Sequence, residues 1–173
     1  MKDVTIGIDI GGTNTKYGFV DREGNLLGDS SMSTTGYAEI EEYIQAIVAA
    51  LGKLEAQIPD ELNIIGMGVG APNANYYTGT IEHAPNLPWK GVIPLADLFQ
   101  KHFDIPVSIT NDANAAAIGE MIYGGAKGMK NFAVITLGTG VGSGFVVNGD
   151  LVYGHDGFAG EFGHIRVIKD GRS

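Results

Sequence analysis

The chain has 173 residues, 44% of them hydrophobic and 18% charged, enough to bury a sizeable core as one ordinary domain or two small lobes. A formal charge of −9 argues against a nucleic-acid backbone as partner, because a phosphate binder needs the opposite sign. Cysteine is absent, which excludes disulfides and thiolate metal sites within the chain, and no apolar run reaches membrane-spanning length.

Residues 4–10 alternate and are β-branched, which predicts a strand that ends at Asp9-Ile10-Gly11-Gly12-Thr13. A second strand is expected over 15–20, and Asp21-Arg22-Glu23-Gly24 turns the chain into a third near 25–28. The period then changes. Ile40, Tyr43, Ile44, Ile47, Val48, Leu51 and Leu54 follow helical spacing, so an amphipathic helix entered near Thr35-Gly36 lays this stripe on the core. A buried strand over 64–70, a short helix over 95–103, a strand over 107–110 and a helix from Asp112 complete an antiparallel meander followed by crossover units. Residues 76–90 interrupt this order as a loop or small flap containing Ala84-Pro85-Asn86-Leu87-Pro88-Trp89.

From residue 132 the opening theme returns: a strand over 132–137, the loop Gly138-Thr139-Gly140-Val141-Gly142-Ser143-Gly144, then strands over 145–148 and 151–153. Three strands and a loop are too few for a complete second layer, so this reads as the start of a second lobe. The division expected is 1–112 for the first lobe, with phosphate loop and flap, and 113–173 for a connecting helix and the opening strands of the second.

Three motifs carry chemistry. Asn111-Asp112, between a strand and a small-residue helix, puts a carboxylate at a rigid corner where a general base for a hydroxyl could sit; alone, the pair would read as a helix cap. In the Asp9–Thr15 loop, Gly11 and Gly12 allow positive φ and close approach of N–H groups to a phosphate, Thr13 adds a hydroxyl, and Asp9 can hold Mg²⁺ through water. The 138–144 loop offers the same chemistry but matches neither a dinucleotide fingerprint nor a P-loop. Together the two loops and the corner fit phosphoryl transfer. Glu161 and His164, three apart, could hydrogen-bond adjacent sugar hydroxyls, although a lone histidine after glycine is more often simply satisfied where it stands.

In their order, Asp9–Thr15, Ala84–Trp89, Thr110–Glu120, Gly138–Gly144 and Gly160–His164 resemble the ROK family (repressor, open reading frame, kinase), close to its glucokinase-like sugar kinases. The resemblance spans essentially the whole chain. It implies an α/β actin-like ATPase fold, with a mixed sheet and helices in ribonuclease H-like lobes, the second incomplete here. By motif, Asp112 corresponds to the catalytic base, and Asn86, Asn111, Glu161 and His164 to sugar ligands. Asp9, Gly11, Gly12, Thr13, Asn14, Gly138, Thr139 and Gly140 correspond to residues around the nucleotide phosphates. Family members usually carry Gly where Asn73 stands, a position Asn tolerates. ATP and Mg²⁺ are the implied cofactors. Zinc is implied only for a longer protein, where His164 would join cysteines that this chain lacks. A hexose substrate, self-association, a cytoplasmic location and no nucleic-acid or membrane partner complete the expectation. The rivals are a sugar-responsive regulator of the same family, opposed by the first strand starting at Val4, and a catalytically silent sugar-binding fragment.

Overall fold

The computed structural model describes residues 1–138, 140–166 and 168. The chain divides into two compact units, Met1–Asp112 and Ala113–Ser173. No helix among the described residues is long and apolar enough to cross a membrane.

The first unit is built on a five-stranded mixed sheet. β1 (Lys2–Ile10), β2 (Asn14–Asp21) and β3 (Leu26–Ser33) form an antiparallel meander, and α1 (Ile40–Glu55) leads to β4 (Leu62–Gly70). A small antiparallel sheet of β5 (Ala74–Asn75), β6 (Thr80–Glu82) and β7 (Val92–Ile93) comes next. α2 (Leu95–Gln100) then leads to β8 (Val107–Thr110), and the main sheet runs β3-β2-β1-β4-β8 with β1–β4 and β4–β8 parallel. Alternation explains the core. Val4, Ile6, Ile8 and Ile10 point to one face and are buried with Met67, Val69 and Ile109. Tyr43, Ile44, Ile47, Leu51 and Leu54 of α1, and Leu95, Leu98 and Phe99 of α2, join the same cluster. Burial of each such side chain contributes about 1.5–3 kcal/mol, so the helices are held by this stripe more than by their own propensity.

Several boundaries differ from the sequence reading. β3 runs on to Ser33, because strand pairing with Asn14–Val20 continues through polar residues that give no apolar alternation. α1 begins at Ile40 rather than near Thr35: the Glu42 carboxylate accepts the backbone N–H groups of Ala38 and Glu39, at 3.1 and 3.5 Å, so the start is set by a capping carboxylate. The helix expected over 95–103 is α-helical only to Gln100. β4 is not buried throughout: Gly68 is exposed opposite Met67 and Val69, and Ile65, also exposed, sits where the β1–β4 register shifts by one residue. The flap is partly a sheet, its turns made by His83 at φ 52 and by Gly79 and Gly91 at φ 69 and 87.

The second unit holds most of α3 (Asp112–Ile122) and a three-stranded antiparallel sheet, β9 (Phe132–Leu137), β10 (Val141–Val147) and β11 (Asp150–Leu151). Asn148 and Gly149 both take positive φ, 57 and 91, as a tight two-residue hairpin turn demands. Gly142 and Gly144 let α3 lie close on β10: a Cβ there would stand 3.1 Å from Ala113 Cβ and 2.8 Å from Ala117 Cβ.

Candidate active site

At the carboxyl end of the first unit's sheet the two acidic residues come together. Asp9 is the penultimate residue of β1 and pairs with Lys16 of β2 and Gly70 of β4. Asp112 opens α3 directly after β8. The Asp9 carboxyl is raised above its ordinary value, chiefly by partial burial and then by the negative charge of Asp112, with Lys16 opposing both. Two carboxylates that feel each other at a strand–helix corner are suited to sharing a cation and to handling a proton on one member. Asn111 lies between Thr110 and Asp112 and is half-buried.

The loop from Gly11 to Thr13 is a tight turn in which Gly11 N–H donates to the Asn14 carbonyl at 3.0 Å. Gly11 and Gly12 do not have positive φ, contrary to the reason expected for them. They are glycine because backbone approaches them closely: a Cβ on Gly11 would stand 2.9 Å from the Asn14 carbonyl oxygen, and one on Gly12 2.9 Å from that of Asn86. Gly12 is therefore where the loop touches the flap. Thr13, Asn14 and Asn86 are exposed beside this contact.

Behind the loop lies a buried hydroxyl cluster. Thr15 Oγ1 is hydrogen-bonded to Thr34 Oγ1 at 2.9 Å and to Tyr43 Oη at 2.8 Å, and all three residues are fully buried. Burial pushes the Tyr43 hydroxyl well above its ordinary value, so it stays protonated. Thr34 N–H donates to the Thr13 carbonyl at 2.9 Å, and the Tyr43 ring packs on Trp89 of the flap with centroids 4.7 Å apart. Loop, helix and flap are thus joined through Tyr43. Sequence reading placed Tyr43 in the core stripe and missed its hydroxyl, for which a threonine at the buried parity of β2 was the only signal. Asn73 takes φ 53, and its Nδ2 donates to the Glu82 carbonyl at 3.0 Å, which secures the base of the flap.

In the second unit, Glu161 precedes a 3₁₀ turn over Phe162–His164, in which positions three apart eclipse. His164 Nε2 stands 3.9 Å from Glu161 Oε2, and both side chains are solvent-accessible. The turn is tied to β10: Ser143 Oγ donates to the Gly160 carbonyl and accepts from Phe162 N–H, while Phe162 packs on Phe145 at 5.5 Å. Gly160, at φ +94, allows the chain to bend there. Gly138 N–H donates to the Gly140 carbonyl at 3.0 Å, making an exposed narrow turn; Thr139 lies outside the described residues. No group of three or more His, Cys, Asp or Glu suited to a metal occurs among the described residues.

Residues 5–173 match the model of the ROK family. The chain is 42% identical over 168 residues to the glucokinase of Streptomyces coelicolor, covering 97% of this chain and 51% of that protein. It is 31% identical to the xylose repressor of Bacillus spizizenii, covering 96% and 43%. The solved ROK-family glucokinase of Streptomyces griseus, in complex with glucose and AMPPNP, superposes with a TM-score of 0.83 at 38% identity, over 97% of this chain and 52% of that one. The chain spans about half the length of the relatives it matches.

Proposed function

The chain belongs to the ROK family, with the actin-like ATPase fold of its structural neighbours, and from that premise we propose that it is the N-terminal part of a glucokinase-like, ATP-dependent hexose kinase. The observation that carries this reading is the Asp9–Asp112 pair, with the glycine loop that follows Asp9 touching the flap at Gly12. Asp112 accepts the proton of the attacking sugar hydroxyl, and Asn111, Asn86, Glu161 and His164 orient the sugar. The N–H groups of Gly11, Gly12, Thr13 and Asn14, with Gly138, Thr139 and Gly140, line the ATP phosphates. The donor set fits Mg²⁺ held through water: one carboxylate at Asp9, a second acting on it, and no all-protein cage among the described residues. When bound, Mg²⁺ neutralises charge that develops on the transferring phosphoryl group. Zinc belongs to His164 only together with ligands from outside this chain.

The reading of the chain as a first lobe over 1–112 and the opening of a second over 113–173 goes with this function. The apolar residues Ile135, Leu137 and Val141, which are 47, 82 and 47% exposed, favour self-association. The likeness to a xylose repressor favours a second reading, a sugar-responsive regulator; the paired carboxylates favour the enzyme, since a sensor needs no base.

Asp112→Asn in the complete protein tests the assignment. Loss of a positioned general base lowers kcat by about 10²–10⁴-fold, while sugar affinity, measured by calorimetry, stays close to wild type. Undiminished turnover in Asp112→Asn would exclude the role.

A further inference from the structure

Thr110, two residues before Asp112, is 8% exposed, and its Oγ1 is enclosed without a hydrogen-bond partner among the described residues. A buried hydroxyl in that state is costly, and valine would fill the same volume without the penalty. The strand register gives its direction. Asp9 pairs with Gly70, and Gly70 with Thr110. Residues in register share a face of the sheet, so Asp9 and Thr110 stand on the same side, with only a glycine between them. Lys16 extends the row on β2, and the charge of Asp112 reaches Asp9 at this end of the sheet. The row therefore carries a carboxylate on β1, a glycine on β4 and, on β8, a hydroxyl without a partner among the described residues.

A divalent cation at Asp9 keeps most of its own water, since the described residues form no cluster of three or more metal-ligating side chains. We propose that Thr110 is a positioning residue whose Oγ1 accepts a hydrogen bond from a water in the hydration shell of a divalent cation held at Asp9. The inference rests on the phosphoryl-transfer reading of Asp9 and Asp112. It explains why a buried hydroxyl with no protein partner stands at this corner: its partner arrives with the cation.

The test uses the 173-residue chain, with Mn²⁺ as a paramagnetic stand-in for Mg²⁺ and inorganic tripolyphosphate as the anion. Binding is followed by electron paramagnetic resonance, and the cation-free thermal midpoint is measured on the same samples. Thr110→Val should hold or raise the midpoint while weakening Mn²⁺ roughly three- to tenfold, the size of one lost hydrogen bond. Thr110→Ser, which keeps the hydroxyl, should retain wild-type affinity. Wild-type Mn²⁺ affinity in Thr110→Val would overturn the proposal. So would a Thr110→Val chain too unstable to titrate, because the hydroxyl would then have a structural partner. Asp9→Asn separates the two levels. If wild type and Asp9→Asn take up Mn²⁺ equally, or neither does, the reading of Asp9 itself fails and the proposal falls with it.

Discussion

Asp21 is almost wholly buried at the turn between β2 and β3, yet it is charged. Its carboxylate accepts from Lys2 Nζ at 2.8 Å, from Asn25 N–H at 2.8 Å, from Asn25 Nδ2 at 3.1 Å and from Glu23 N–H at 3.1 Å. The Lys2 hydrogen bond, followed by that of the Asn25 side chain, holds the carboxyl well below the usual carboxylate range. A carboxyl depressed in the folded state stabilises fully above its unfolded value, near 4, and progressively less as pH falls below it. Denaturant midpoints measured from pH 6 down to pH 2 should therefore fall more steeply for wild type than for Asp21→Asn, which has no such proton to gain; parallel curves would refute the coupling. The contrast with Asp9 and Asp112 shows what a sequence discloses at this scale. Asp9 stands at a strand end two residues before Gly11-Gly12, and Asp112 at a strand-to-helix corner, where local chemistry announces a ligand. Asp21 also stands at a turn, but its lysine partner is 19 residues away in the chain, and only the β1–β2 register brings it near. Thr15, Thr34 and Tyr43 were opaque for the same reason.

Elements were legible where one face is buried. Alternation found β1 and β2, and helical spacing found α1, because a single core takes up both patterns. Their ends were less legible, since a polar continuation such as Ser30, Ser31 and Ser33 is held by backbone pairing that no side chain records. The loop–flap contact is the clearest case of backbone deciding residue type. Alanine at Gly12 would put its Cβ 2.9 Å from the Asn86 carbonyl oxygen, so the loop or the flap must shift. Gly12→Ala should cost about 1–3 kcal/mol, as overpacking does, and raise KM for sugar in the complete protein. Gly7→Ala is the control, because nothing lies within 4 Å of that site. Equal denaturant midpoints for the two variants would show that the contact is not tight.

At the scale of the molecule the chain holds one well-buried unit and a second with much apolar surface. Leu137 is 82% exposed and Phe162 53%, on the elements that carry the Gly138–Gly140 turn and the Glu161–His164 pair. Within the repeat of strand, glycine loop and hairpin, the Asn148-Gly149 turn was readable because it is written in residue type. The loop expected over 138–144 is shorter, since β10 begins at Val141 and pairs with β9 through Gly142 and Gly144. The chain spans about half the length of its glucokinase relatives. The central claim is that the Asp9–Asp112 corner serves transfer of phosphate from ATP to a hexose. Coupled measurement of ADP release by the complete protein, over a panel of hexoses with Mg²⁺ present, tests it most directly. The account predicts release that depends on a hexose and is lacking when the 173-residue chain is assayed alone. ADP release indifferent to added sugar, or no release with any hexose, would contradict it.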